Sequence, residues 1–407
     1  MRFWSFILSL FIGYSAFAQI QSLEVEAGEH NRAETPIYFK VEGNKSYQAL
    51  LNLETQDTVF LAPSSTNPNT YFFILDQDLN KGISKKYQLL SIENQEITTY
   101  KFQSWRYGKS LKLKQQDHLT VAYNFGLRYP IFEAPEYYKR SGFFHPVYTP
   151  DGVVLSDDFP IGHAHQNGIF NTWVNTTFQG KKVDFWNRQK QLGKVSSQNQ
   201  TKGITLFQHK NGSQSFHDTL LHIAIDTSIK KEQIVLKEVQ HLTLYPTSDY
   251  HLFDIYSKQI NVSSDTLFIN KYHYGGMAFR GSKFWNEADT LHFEADMKIV
   301  TSEGKNRAAS NHTRPNWICA YGTIEGKEVG IAVFNHPSNF RSPQFVRVHP
   351  KMPYFCFTPT VEEGFPIAPQ GSYEAQFRLV TFDGAPDLKL LERLWLDYAF
   401  SAKIKIF

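Results

Sequence analysis

The chain reads as mostly β: a small N-terminal β-sandwich domain, then a large β-supersandwich, with one C-terminal helix. Three observations point there. Aromatic residues make up 15% of the 407 positions, with 34 Phe, 21 Tyr and 7 Trp, a composition that fits pleated, half-buried surfaces. Short runs alternate apolar and polar residues between Gly, Pro and Asn clusters, which is the pattern of antiparallel strands. Only one segment, near the end, carries apolar residues at helical spacing.

Taken in order, the first residues predict a leader rather than a structural element. Arg2 supplies a positive start, Phe3 to Phe11 an apolar stretch, and Ala16-Phe17-Ala18 a small-residue cleavage site. Residues 1–18 therefore read as a secretory signal peptide, too short to span a bilayer. No Cys follows the cleavage site and no other stretch is apolar for long enough, so the expectation is a periplasmic protein without a membrane anchor. Residues 19–104 then alternate as strands, for example Ser22 to Glu26, Ile37 to Val41 and Tyr71 to Leu75, and form the small first domain. The remainder of the chain, 105–407, is larger than one usual domain.

In the large domain Gln179-Gly180 sits between two alternating runs and predicts a hairpin turn. Strands are expected at Ile234 to Tyr245, Tyr250 to Val262, Thr266 to Lys271, Thr290 to Val300, Val329 to Phe334 and Ser372 to Phe382. Pro386 followed by Leu388, Leu391, Leu394, Trp395 and Tyr398 predicts the helix. The net charge of +3 gives no support to nucleic-acid binding. Cys319 and Cys356 form one disulfide or remain two buried thiols.

Four segments carry candidate chemistry. The stretch from Phe144 to Asn187 gathers His145, His163, His165, Trp173 and Trp186. If residues 162–166 are extended, His163 and His165 share a face. Imidazoles titrate near neutrality and can move protons there. A cupin-like metal site would also need a nearby Glu where Ile169 and Phe170 stand, so neither metal nor cofactor is expected. Glu238 and Gln240 lead an apolar row on one strand face, either as the polar end of a pocket or as a sheet rim. His273 and Tyr274 precede the pair Gly275-Gly276 and Arg280, placing a base near a fork-shaped anion clamp. Finally, His336, Asn339 and Arg341 come after the apolar run Gly330 to Phe334, where polar groups line a site or build a turn. There is no nucleophile elbow, phosphate loop or dinucleotide fingerprint. The candidate segments hold few carboxylates, with Glu238 and Asp184 the best placed, whereas glycosidic displacement usually takes two.

These segments resemble a bacterial family of unknown function often labelled PmoA-like. The likeness runs through His145 to Gly152, Phe185 to Asn187, Gly275 to Arg280 and Gly330 to Arg341, and includes Ala27-Gly28 and Arg32. The family's histidine motif reads like DHPHHRG. Here it is Gly162-His163-Ala164-His165-Gln166-Asn167-Gly168, which has lost an acid, a His and an Arg. The resemblance implies a galactose-mutarotase-like supersandwich and a carbohydrate lying on its concave sheet. On that reading the expected activity is β-elimination on a terminal uronic acid of an acidic oligosaccharide, as a dehydratase or lyase of ulvan-type polysaccharide breakdown. His163, His165, His273 or Tyr274 would move protons, with Arg280 or Arg341 neutralising the carboxylate and Asn339 assisting. Glu238 would act in an alternative hydrolase or epimerase. A second alternative is a non-catalytic binding protein that stacks sugars on Trp173, Trp186, Trp285 and Trp317.

Overall fold

The computed structural model describes residues 21–42, 47–91, 98–102, 109–131, 134–287 and 296–407. The expected signal peptide, the 104/105 domain boundary and the start of the strand expected from Thr290 lie outside them. Among the described residues the architecture is mostly β, with a short helix at Arg307–Ser310 and a longer one near the C-terminus, and two antiparallel sheets dominate. One has the order Lys298–Thr301, Trp317–Ile324, Lys327–Asn335, Ser372–Asp383, His251–Asn261, Lys231–Tyr245, Gln214–Asp226, Ile204–Gln208 and Thr98–Phe102, with Gly193–Ser197 also paired to Gln214–Asp226. The other runs Phe345–Val348, Tyr354–Thr358, Gly276–Arg280, Ile169–Thr172, Phe143–Val147, His118–Asn124 and Ser110–Gln115.

Alternation in the strands decides what each sheet buries. In the large sheet Leu236, Leu242, Phe253, Ile255, Phe377 and Leu379 meet Phe144, Ile169, Met277, Phe279, Phe355 and Phe357 of the facing sheet in one continuous core. Their neighbours point the other way. On the large sheet's far side Leu252, Ala332, Phe334 and Val380 receive the C-terminal helix.

That helix, Leu388–Ala399, buries Leu391, Leu394, Trp395 and Tyr398 as its spacing predicts, whereas Leu388 is exposed. It starts where Asp387 accepts from the backbone N–H groups of Lys389 and Leu390, at 2.9 and 3.1 Å. Removing this cap in Asp387→Ala should cost about 1 kcal/mol, read as a lower denaturation midpoint with an unchanged slope.

The small unit pairs Lys403–Ile406, Ser22–Glu26, Ser84–Leu90, Ala49–Asn52 and Thr58–Phe60 in one sheet, and Pro36–Lys40, Thr70–Ile74 and Ala62–Pro63 in another. The chain thus crosses between the units twice: Thr98–Phe102 joins the large sheet, and the C-terminal strand returns to the small one. Buried Arg32 fastens the two, bonding the Asp397 carboxylate at 3.3 Å and the Phe400 carbonyl at 2.7 Å at the C-terminal helix. The hairpin turn falls at Gln179-Gly180, between Thr176–Phe178 and Lys181–Val183. Cys319 and Cys356 are both buried, unbonded thiols on different sheets.

Candidate functional site

The outer face of the second sheet collects most of the expected proton-transfer groups. Met277 and Phe279 face the core, so Ala278 and Arg280 face outward. Arg280 lies directly opposite Tyr354 on the neighbouring strand. Around them Phe143, Phe170, Val174 and Trp186 pack with Tyr272 and Tyr274 into an aromatic floor. Trp186 meets Phe170, Tyr274 and Tyr354 at centroid distances of 4.5, 5.6 and 6.3 Å. The pair Gly275-Gly276 serves the sheet rather than a ligand. A Cβ on Gly276, at φ +89°, would stand 2.6 Å from the Phe357 carbonyl oxygen.

The histidine segment is not extended. It makes successive turns, with the N–H of Gln166 bonded to the His163 carbonyl at 2.9 Å. The turns still bring the two rings to 5.5 Å, and His349 stands 6.4 Å from His163. The segment is clamped onto the Arg280 strand by Arg280 N–H to the Gly168 carbonyl at 2.7 Å and Asp157 N–H to the Arg280 carbonyl at 3.2 Å. Only a residue without a side chain fits position 168, because a Cβ there would lie 1.9 Å from the Phe144 carbonyl oxygen.

Beneath these rings lie two buried guanidinium groups. Arg280 donates through Nη1 to Gln166 Oε1 at 3.0 Å, and its Nε and Nη2 have no partner among the described residues. Arg140 donates to the His165 carbonyl at 3.2 Å, sits 4.4 Å over the Phe170 ring, and leaves Nε unpartnered. Among the described residues neither has a carboxylate within ion-pair reach. Burial lowers Arg280 to about 10 and Arg140 to about 9, so both remain cations at neutral pH.

The imidazoles respond to burial and to this charge. Burial and then Arg280 lower His163. Burial, then His163, Arg140 and Arg280, push His165 down to about 3. Burial with Arg347, His163, Arg307 and Arg280 brings His349 to about 4. These rings are neutral at physiological pH, so each keeps one nitrogen able to accept a proton. His273 is exposed and also lowered, by burial, Arg347 and His312. Tyr274 is raised, chiefly by burial, so its phenol holds its proton and bonds Asn187 Oδ1 at 3.2 Å. Asn187 in turn is held by Asp184.

A cavity of about 870 Å³ runs along the other flank of the same loop, bounded by His145, Asp157, Asp158, Pro160 and Phe284. His145 is held there by Ser156 Oγ at 2.9 Å and Asp158 at 3.2 Å. Burial pushes the Asp157 carboxyl up to about 6, against the opposing pull of Arg280 and His145. The sequence alone does not point to Arg140, Asp157, His349 or Tyr354 as site residues. Tyr354 alone has a signal there, an aromatic starting the apolar run Tyr354 to Phe357 with a hydroxyl to place.

The structure puts the other expected residues elsewhere. Glu238 lies between the two large sheets, fully buried, accepting from Ser257 Oγ at 2.7 Å and bonded to His222 Nε2 at 2.7 Å. Trp173 is a core residue donating to Gln259 at 2.6 Å. Trp173, Trp186, Trp285 and Trp317 are 0–3% exposed, so none presents a face for a sugar to stack on. Asn339 is a turn residue, bonded to Asn335 Oδ1 and to the Gln376 backbone. Arg341 pairs with Glu363 and caps the carbonyls of Pro359 and Gly364. His336 sits on the far face of the large sheet, its ring 4.8 Å from that of Tyr398.

This geometry can be set beside known proteins. The pattern of a family described as a family of unknown function, DUF6807, matches residues 110–396. No curated protein matches the chain significantly. Among solved structures, an alpha-mannosidase from Enterococcus faecalis V583 is similar at 8% identity and TM-score 0.44, covering 95% of this chain and 46% of its own. A galactose mutarotase related enzyme from Lactobacillus acidophilus matches at 8% identity and TM-score 0.31, covering 72% and 99%. The GH36 alpha-galactosidase AgaA from Geobacillus stearothermophilus matches at 11% identity and TM-score 0.26, covering 64% and 32%. The chain thus spans about half the length of the mannosidase.

Proposed function

We propose that this chain, which belongs to the DUF6807 family of unknown function, binds an anionic sugar on the outer face of its second sheet and performs β-elimination on a uronic acid there. The observation that carries this reading is the pair of buried guanidiniums, Arg140 and Arg280, without a carboxylate partner, lying under neutral histidines. A buried cation is costly unless an opposite charge meets it, and an anionic ligand would supply that charge. Arg280 is itself screened from solvent by its surroundings, with Gln166 on its Nη1. It therefore acts on the ligand through its field, or directly once Gln166 turns aside.

The step balances with these groups. His163, partly exposed and neutral, takes the C5 proton, and that electron pair becomes the C4–C5 double bond. The C4–O bond breaks, and the leaving oxygen takes a proton from a phenol, for which Tyr274 is suited. Water leaves from a terminal residue, and a sugar leaves from an internal one. Positive charge beneath the histidine rings stabilises the enediolate that forms as C5 loses its proton. The expected signal peptide would place this chemistry in the periplasm, on ulvan-type or other uronates.

The test is ultraviolet absorbance of the conjugated double bond, with mass spectrometry, on a panel of uronate oligosaccharides. Absorbance should rise, and His163→Ala should lower the rate by about 10²–10⁴-fold. The rate should be level through neutral pH. It should fall only as acid protonates His163 below its ordinary 6.5, because its folded pKa is lowered. A flat trace with unchanged masses across the panel would remove elimination and leave anion binding.

A further inference from the structure

The large sheet's far face carries a second polar cleft, closed by the small unit. Its cavity is about 240 Å³. Arg378 forms its floor and is clamped to Asp254 by two bonds, Nε to Oδ1 at 2.7 Å and Nη2 to Oδ2 at 2.9 Å. Tyr245 donates to the same carboxylate at 2.8 Å, and Tyr38 from the small unit meets the Tyr245 hydroxyl at 2.6 Å. Tyr398 lies against the guanidinium at 4.5 Å. Three lining groups keep buried polar atoms with no partner: Arg378 Nη1, Tyr398 Oη and His241 Nδ1. Arg378 and Tyr398 are 2% and 8% exposed. Buried polar atoms are nearly always satisfied in folded proteins, so three of them among the residues that line one cavity set it apart.

The charge balance says what kind. Asp254 is matched by Arg378, and Asp397 by Arg32 and Arg393. Burial lowers His241 to about 4, with His217 adding to it, and burial also lowers His336. No lining charge is left uncompensated, in contrast to the guanidinium pair on the other sheet. The part-exposed rings of Tyr38 and Tyr256 line it beside hydroxyl, amide and imidazole groups. This suits a small molecule with C–H faces and hydroxyl edges. We infer that this cleft binds a single neutral sugar ring, a site separate from the one that takes an anionic ligand. It exists only where residues 64–67 and Tyr38 of the small unit close over the sheet, which gives that unit a function.

The test is titration calorimetry of the full protein with D-glucose, D-galactose, D-xylose and L-rhamnose, and with D-glucuronate for comparison. Tyr398→Phe removes only a hydroxyl that has no partner, so the fold should be unaffected. His241→Ala is the second variant. At least one neutral sugar should bind saturably, more tightly than glucuronate. One or both substitutions should weaken it about three- to tenfold, the worth of one or two hydrogen bonds, while His163→Ala leaves it unchanged. The inference is overturned by no saturable binding of any of the four, by binding that neither substitution moves, or by a preference for glucuronate that both variants weaken.

Discussion

Replacing Arg280 by Met should abolish most of the elimination activity while leaving the protein as stable as before or more so. The two halves of this expectation have one cause. Arg280 is fully buried, its guanidinium bonded among the described residues only to Gln166, and it holds its proton less tightly than a free arginine because burial disfavours the cation. A folded pKa of about 10, below the unfolded 12.5, means that the charged group opposes folding at every pH below that range. Methionine of similar reach removes the desolvated charge and costs only the Gln166 bond. Replacement of buried ionic groups by apolar ones is often neutral or favourable by about 1–4 kcal/mol. Activity should move the other way. Removing one preorganised electrostatic contact of a developing oxyanion typically costs about 10²–10³-fold. Arg280→Lys should not rescue it, since a point charge on a flexible stem lacks the rigid planar group whose Nη1 holds Gln166. Thermal unfolding and the ultraviolet rate, measured on the same preparation, separate the outcomes. A marked loss of stability would make Arg280 a structural residue and leave Arg140 alone to carry the site.

The sequence was most legible where a local rule has a single outcome. The strand from Ile234 to Tyr245 and the helix stripe at Leu391, Leu394, Trp395 and Tyr398 follow from periodicity, because a one-residue error would turn the apolar face to water. His163 and His165 were found by their spacing, but for the wrong local reason: they meet through turns, not through an extended strand. Partnership across the sheets could not be read. In the sequence Glu238 reads equally as a pocket carboxylate or as a sheet rim, and only the pairing of three long strands puts His222 and Ser257 beside it. The run from Asn335 to Arg341 is equally rich, yet its groups are spent on the turn and its surroundings, with Asn339 on Asn335 and Gln376 and Arg341 on Glu363. Conversely, Arg140 stands in an unremarkable segment and Tyr354 in an ordinary apolar run, and only contacts distant in sequence bring them to His165 and Arg280. A polar residue's role depends on whether its hydrogen bonds are already spent. That is settled by contacts distant in sequence.

Glu238→Ala should be strongly destabilising, by about 3–5 kcal/mol, because it leaves two buried hydrogen-bond partners without their acceptor and opens a cavity beside them. Glu238 is the acceptor of a network that stitches the two large sheets together. His222 Nε2 and Ser257 Oγ meet its two oxygens at 2.7 Å each, Asn171 of the facing sheet donates to Ser257 at 3.0 Å, and Gln259 carries the chain on to Trp173 at 2.6 Å. Alanine would leave His222 and Ser257 without their acceptor in a fully buried position, and a cavity beside them. Glu238→Gln keeps the shape and can still accept, so its loss should be smaller. Denaturant unfolding of the two variants orders them. The activity of the Gln variant then decides between chemistries: a hydrolase or epimerase built on Glu238 would lose turnover while remaining folded. If the carboxylate instead serves the inter-sheet network, surviving activity should track the folded fraction. Turnover lost from a fully folded Glu238→Gln would move the reaction from the outer face to the interior.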